Sequence, residues 1–245
     1  NSGRHLLENY SDVFRLSNNF NEECLLSWHW SASSDVYTCQ NALQSSLAIT
    51  GFDEFGDCWG GYNGPSVDLQ DAFGENALSP TRYNGDARRK ATMMMCGDTY
   101  DYFWQDKGGF NYINFIYDTK GMGGPGQFQS ATGANSVKHL YGNANDHLTA
   151  TGVSASAQHS QLSTHLLRLS DVYLIYAEAV IGNNVSTTDA SAIDAFYQVR
   201  HRAISSYTRP TSITWEDVWN WLVRETAGMT LYVCHTMILR GQLMN

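Results

Sequence analysis

The stretch Arg168-Leu169-Ser170-Asp171-Val172-Tyr173-Leu174-Ile175-Tyr176-Ala177-Glu178-Ala179 reads as one amphipathic helix. Leu169, Val172, Tyr173, Tyr176, Ala179 and Val180 recur at i, i+3, i+4, i+7, i+10 and i+11, which is one apolar face, with Arg168, Asp171 and Glu178 off the stripe. Gly182 and Asn183-Asn184 end it, because Gly and Asn tolerate the left-handed conformation that closes a helix. A second helix starts near Thr187-Thr188-Asp189 and carries Ile193, Phe196, Tyr197, Arg200, Ala203 and Ile204 at the same spacing. The pattern predicts two antiparallel helices, about 166–182 and 188–204, forming a hairpin of the tetratricopeptide size class.

Outward from the hairpin the signals are shorter. Leu6 to Phe20 predicts a helix and a polar turn, and Cys24 to Ser31 a strand entering a core with Trp28 and Trp30 packed inside. Ser31 to Asn63 reads mostly as loop. Pro65 to Phe73 predicts a short helix with Ser66 as N-cap. Phe110 to Tyr117 alternates as a strand and suggests a small hairpin with the preceding segment, whereas Gly121 to His159 reads as a long surface excursion.

The wording of the helical hairpin, with Ala192-Ile193-Asp194-Ala195-Phe196-Tyr197-Gln198-Val199-Arg200-His201-Arg202-Ala203 as its second half, resembles the C-terminal part of SusD/RagB proteins. Asn18-Asn19-Phe20-Asn21-Glu22-Glu23 resembles the family's asparagine-rich lead into a core strand. Pro65-Ser66-Val67-Asp68-Leu69-Gln70-Asp71-Ala72-Phe73 is similar to its P-x-x-D-L-x-D-A-F segment. Tyr83-Asn84-Gly85-Asp86-Ala87-Arg88-Arg89-Lys90-Ala91-Thr92 is similar to its D-P-R-x-x-x-T segment, with Ala87 in place of the proline. The resemblance runs from about Asn18 to about Asp217. It implies a mainly α fold, with tetratricopeptide-type hairpins packed on an irregular, loop-rich subdomain containing short strands. The expected divisions are a loop-rich subdomain over 1–160, the hairpin region over 161–219 and an aberrant tail over 220–245. The resemblance further implies a surface lipoprotein of the outer membrane of Bacteroidota that captures glycans for a SusC-like TonB-dependent transporter. The family begins with a lipid-bearing Cys and a helical-repeat half, so the chain reads as the later half of a longer protein or a truncated form of one.

Composition agrees with a ligand-binding globular chain. Its 245 residues are 42% hydrophobic and 13% aromatic, enough for a core in one or two domains. Net charge is −9, from 24 acidic and 15 basic residues with no basic cluster, which argues against nucleic acid and suits a neutral ligand. Five Cys without a C-x-x-C pair make a zinc site improbable. Buried thiols are the default, with a Cys39–Cys58 bridge left open. The histidines are scattered and read as surface or loop residues. Gly121-Met122-Gly123-Gly124-Pro125-Gly126 fits G-x-G-x-x-G but precedes a poor helix, so it reads as a flexible loop and not a nucleotide cradle. No cofactor or metal is expected.

Catalysis by paired carboxylates needs two groups about 5–9 Å apart across a sugar bond. Glu22-Glu23, Asp53-Glu54 and Asp98-Asp101 are candidates, but no spacing singles one out. Capture needs only a rigid platform: sugar C–H faces stack on aromatic rings while hydroxyls bond to nearby polar groups. Trp59, Tyr62 and Asn63, in a loop with Gly60, Gly61 and Gly64, form the first candidate platform, and Tyr102 with Trp104 the second. The expected function is non-enzymatic oligosaccharide capture. The alternatives are a helical-repeat scaffold that binds protein and a glycan-active enzyme.

The resemblance changes near the end. The family continues a start like Ile213-Thr214-Trp215-Glu216-Asp217-Val218-Trp219 with a charged segment, Glu-Arg-Arg-x-Glu-Leu-x-x-Glu-Gly-x-Arg-Trp-x-Asp. Here Asn220-Trp221-Leu222-Val223-Arg224-Glu225-Thr226-Ala227-Gly228 follows. Reading the third base of each codon with the first two of the next, from Asp217 onward, permits Arg-Leu-Glu-Leu-Ala-Gly-Glu-Gly-Asp-Arg-Trp-Tyr-Asp. The expectation is a frameshifted tail from about 217–220 to Asn245, with the family's last helix absent or misformed and an aggregation-prone window over 231–239. Sequencing the underlying DNA tests this.

Overall fold

The computed structural model describes residues 3–32, 41, 43–53, 58, 61, 64–83, 85–117, 124, 126, 129–155 and 159–226. Its strands are short: β1 (Cys24–Trp28), β2 (Met93–Met95), β3 (Thr99–Tyr100), β4 (Phe110–Asn111), β5 (Ala134–Ser136), β6 (Thr164–Arg168), β7 (Ser186–Thr187) and β8 (Ile213–Thr214). The helices are α1 (Leu43–Leu47), α2 (Val67–Ala72), α3 (Ala87–Thr92), α4 (Tyr112–Ile116), α5 (Ala144–Thr151), α6 (Leu169–Ile181), α7 (Ala190–Ala203) and α8 (Trp215–Thr226). The strands pair antiparallel in two-stranded ribbons, β1 with β6, β2 with β5, β3 with β4 and β7 with β8. The fold is mainly α, with short strands.

The helical hairpin is α6 and α7 packed on each other, with α8 against α6. Asp189 caps α7, its Oδ1 accepting from the Ser191 and Ala192 amides, each at 3.0 Å. The buried face of α6 differs from the expected stripe. Ser170, Asp171, Leu174, Ala177 and Ile181 are buried, Tyr173 packs partly on the core, and Tyr176 is 44% exposed. From Val172 to Ile181 only Glu178 is charged, so periodicity alone does not choose the face. Close packing of α6, α7 and α8 around Ala177 and Ala192, both fully buried, chooses it. Tyr176 instead bonds Ser191 at the hairpin surface, hydroxyl to hydroxyl at 2.8 Å.

Arg168, read as off the apolar stripe, is fully buried, and so is Glu225 at the end of α8. Glu225 pairs with Arg168 at 3.3 Å, Arg88 at 3.2 Å and Arg202 at 2.6 Å. Its backbone carbonyl accepts from the Tyr10 hydroxyl at 2.8 Å and from Lys138 Nζ at 3.2 Å. Asp171, Asp86 and Glu23 supply the remaining carboxylates of this cluster. Burial alone would raise the Glu225 carboxyl, but Arg202, Arg168, Arg88 and Lys138 outweigh it and hold it at about 2. Burial and the neighbouring guanidinium of Arg168 push the Lys138 ammonium well below its usual range. One residue thus ties together α3, β6 and α7 through its carboxylate and the first turns of the chain through its carbonyl.

Other expectations divide. Ser66 caps α2 as predicted, its Oγ accepting from the Leu69 amide at 3.2 Å. Leu6–Phe20 forms two 3-10 turns, Tyr10–Phe14 and Leu16–Asn18, and no α-helix. Short polar side chains compete for its backbone: Asn18 Nδ2 donates to Asp12 O at 3.2 Å and Asn21 Nδ2 to Asn18 O at 2.9 Å. Phe110–Tyr117 is strand for two residues and then helix α4, capped by Asn111, with Tyr112, Phe115 and Ile116 buried at helical spacing. The loop reading of Ser31–Asn63 misses α1. Within Gly121–His159, the described part is no surface excursion: β5 is wholly buried and α5 follows. His139, His147, His159 and His165 are buried, not surface histidines. Cys24 and Cys96 are free thiols and Cys58 is buried, while Cys39 and Cys234 lie outside the described residues. Helix α8 forms as far as Thr226, and 227–245, where most of the expected aberrant tail falls, lies outside the described residues. Among the described residues no helix is long and apolar enough to cross a membrane.

Candidate functional site

The β3–β4 hairpin positions the second candidate platform. Its turn needs two left-handed glycines, Gly108 (φ 80°) and Gly109 (φ 100°), and a Cβ at Gly109 would sit 3.1 Å from Tyr100 O. Trp104 is also left-handed, at φ 57°, an uncommon conformation for a bulky residue. Asp146 holds it there: its carboxylate accepts from the amides of Trp104 (2.6 Å), Gln105 (3.0 Å) and Asn143 (2.9 Å).

Trp104 is therefore not an exposed ring. It is 2% exposed, its indole N–H donates to Phe52 O at 3.1 Å, and its ring meets Phe110 and Phe115 at centroid distances of 6.0 and 5.4 Å. The left-handed turn drives the side chain inward, into a core of Phe52, Tyr100, Phe103, Phe110 and Phe115. Trp59, Tyr62 and Asn63 lie outside the described residues.

Tyr102 is half-buried on the wall of a cavity of about 420 Å³ between the 3-10 turns, Asp101–Gln105 and α5. The Arg15 guanidinium lies over its ring, 4.2 Å from the centroid, and Phe103 packs against it at 4.5 Å. One ring face is thus occupied, so Tyr102 offers a phenol O–H beside a guanidinium, not a bare stacking surface. Burial pushes the phenol well above its usual range, partly countered by Arg15, so it stays a neutral donor. Ser11, Asp101, Gln105 and Thr149 complete a polar rim over an apolar floor of Phe14, Phe103, Val137 and Leu140, beside the buried Lys138. Donors and acceptors set beside apolar walls suit a neutral polyhydroxylated ligand.

Carboxylates near the cavity are mostly committed elsewhere. The Asp146 oxygens receive the three amides above, Asp98 pairs with Arg89, and Asp12 pairs with Arg15 at 3.0 Å. Among the described residues no group of His, Cys, Asp or Glu could hold a metal ion.

Sequence reasoning missed the exposed aromatics at the end of β1. Trp28, expected in the core, is 52% exposed and meets half-buried Trp30 edge to face, centroids 6.4 Å apart. Register irregularities at Cys24–Ser27 turn β1 against β6 and leave Leu26 and Trp28 outside. Their i, i+2 spacing was the available signal, since one face of a two-stranded ribbon has no second layer to cover it.

Fold and cavity together define a helical-hairpin protein whose loop-rich subdomain carries a cleft of mixed polar and aromatic lining. The chain belongs to the SusD family, whose model matches residues 27–227. The match includes residues beyond the 217–220 boundary expected from the sequence and ends at 227. A SusD-like protein of Bacteroides ovatus is 34% identical over 219 residues, covering 89% of this chain and 34% of the relative. A structure solved with xylogluco-oligosaccharide is 28% identical, with TM-score 0.69, covering 98% of this chain and 44% of that one. Surface glycan-binding protein A from Bacteroides thetaiotaomicron, in complex with laminarihexaose, shares the fold at 14% identity and TM-score 0.63, covering 94% of this chain and 45% of that one. The chain spans about a third of the curated relative and less than half of these two structures.

Proposed function

We propose that this chain forms part of a protein that captures neutral oligosaccharide without cleaving it, with the cleft at Arg15 and Tyr102 as a contact site. The observation that carries the reading is the 28% identity, over 98% of this chain, to a protein whose structure was solved with xylogluco-oligosaccharide. The cleft supports it chemically. A guanidinium and a neutral phenol can bond adjacent hydroxyls, Asp101 can accept from them, and the apolar floor can receive C–H faces. A binding role is favoured over an enzymatic one because the Asp146 lone pairs serve the turn, which among the described residues leaves Asp101 without a partner carboxylate in the cleft. Membership of the family supports the further reading that the whole protein sits at the cell surface as an outer-membrane lipoprotein and hands its ligand to a SusC-like TonB-dependent transporter.

A glycan array probed with the full-length protein, paired with a reducing-end assay, tests this. Binding to a neutral glucan with no new reducing ends is the expected result. Turnover removed by a single Asp or Glu substitution would overturn it.

A further inference from the structure

The cleft offers Tyr102 with one ring face under Arg15, so its stacking capacity is small. Open ring faces occur elsewhere. Phe20 is 81% exposed, yet it is not loose. Its ring lies 4.6 Å from that of His29, tilted by 31°. His29 is itself fixed, Nδ1 to Ser163 Oγ at 2.8 Å. The backbone on either side of Phe20 is pinned as well. Asn19 accepts from the Ser163 amide at 2.9 Å, and Asn21 donates to Asn18 O at 2.9 Å and accepts from the Glu23 amide at 3.1 Å. An apolar ring held rigidly in water gains nothing for the fold by its exposure, but it is a pre-organised surface for a ligand.

Beside this ring runs a groove of about 450 Å³, bordered by Arg4, Asn19, Phe20, Glu22, Ser27 and His29. Arg4 is anchored on its wall through bonds from Nη1 to Glu22 O at 3.1 Å and Cys24 O at 2.7 Å. The Glu22 carboxylate is exposed on the same rim and can accept from hydroxyls. An opposite-charge pair beside an aromatic face selects a ligand that is neutral overall, has one apolar face and carries hydroxyls at its edge. A pyranose ring has this chemistry. A simple anion would meet Glu22, and a purely apolar peptide would leave the Glu22 carboxylate without compensation.

We infer that the Phe20–His29 groove is a second saccharide subsite, separate from the Tyr102 cleft, which takes a pyranose of a neutral glucan on the Phe20 ring. The inference rests on the glycan-capture reading above. Two subsites on one chain would let a long glycan engage both, so affinity should rise with length through effective concentration.

The test is calorimetric titration of the full-length protein with xylogluco-oligosaccharide and with laminarihexaose. Unaltered protein, Phe20→Ala and Glu22→Gln are compared, each also melted. Phe20→Ala should weaken at least one ligand roughly 10-fold, comparable with loss of a stacking ring elsewhere. Glu22→Gln should weaken the same ligand by a smaller factor, and melting should stay unchanged for both. Normal binding by both variants, with the unaltered protein binding well, would overturn the groove and leave the cleft standing. No binding of either glycan by the unaltered protein would overturn the capture reading, and the groove with it.

Discussion

Glu225 is the residue on which most of the chain converges. Its partners lie 57, 137 and 23 positions away, at Arg168, Arg88 and Arg202. Removing one member of such a buried set leaves charges in a low dielectric with nothing to balance them. Glu225→Ala should therefore destabilise the fold by about 3–5 kcal/mol, read by denaturant unfolding. An effect within the range of a surface substitution would show that the three guanidiniums are satisfied without it. His165 supplies a pH signature. Burial pushes its imidazole down to about 4, against 6.5 unfolded. Nε2 donates to Val13 O at 2.9 Å, and Nδ1 is 2.9 Å from Ser27 Oγ, as fits a neutral ring. Because the folded state resists the proton, His165 contributes its full stability above pH 6.5, and loses it as pH falls from 6.5 towards 4. The total is on the order of 3 kcal/mol once pH lies below both values. The Glu225 carboxyl, also depressed, adds a loss at lower pH, between 4.5 and about 2. Unfolding measured from pH 7 to 4 should show the His165 decline first, with its ring signals titrating near 4. A His165 midpoint near 6.5 would contradict the burial argument.

At the scale of elements, the hairpin was legible and its orientation was not. Its two helices fall within a few residues of their expected limits, because Gly182 and Asp189 are strong local end signals. The face of α6 depends on what packs against it, and an almost wholly apolar helix leaves that choice to its neighbours. Leu174 is fully buried and Tyr176 is 44% exposed. Leu174→Ala should cost about 2–5 kcal/mol from lost transfer energy and cavity. Tyr176→Ala should cost about 1 kcal/mol or less, as for an exposed position with one surface hydrogen bond. Equal losses from the two, measured by thermal melting, would restore the stripe read from the sequence. The buried Arg168 had a faint local signal, since Asp171 three residues on accepts its amide at 2.9 Å, as a helix-opening acid does. The signal marks a helix start without revealing the distant Glu225. Trp104 was illegible for a related reason. Its inward direction follows from a left-handed backbone held by Asp146, forty-two positions away.

For the molecule as a whole, the two largest of four apolar clusters among the described residues carry most of the fold. One lies around Phe52, Phe103, Trp104 and Phe115, the other between α6, α7 and α8. Arg88 links the second core to α3, its guanidinium 3.7 Å above the Trp221 ring while it pairs with Glu225. The family was legible because segments resembling its motifs stand in order along the chain, from Pro65–Phe73 through Tyr83–Thr92 to the helical hairpin. The ligand surface was less legible, since exposure of an aromatic ring is decided by contacts far along the chain: Trp104 turned inward, Trp28 outward and Tyr102 under Arg15. On the proposed function, the cleft binds glycan through hydrogen-bonding groups of this chain. Tyr102→Phe tests it most directly, because it removes the phenol oxygen and keeps the ring beneath Arg15. In titration of the full-length protein with xylogluco-oligosaccharide, the unaltered protein should bind saturably. The variant should bind about 3- to 10-fold more weakly, the equivalent of one hydrogen bond, with its melting temperature nearly unchanged. Equal affinity of the two proteins, or no binding by either, would contradict the claim.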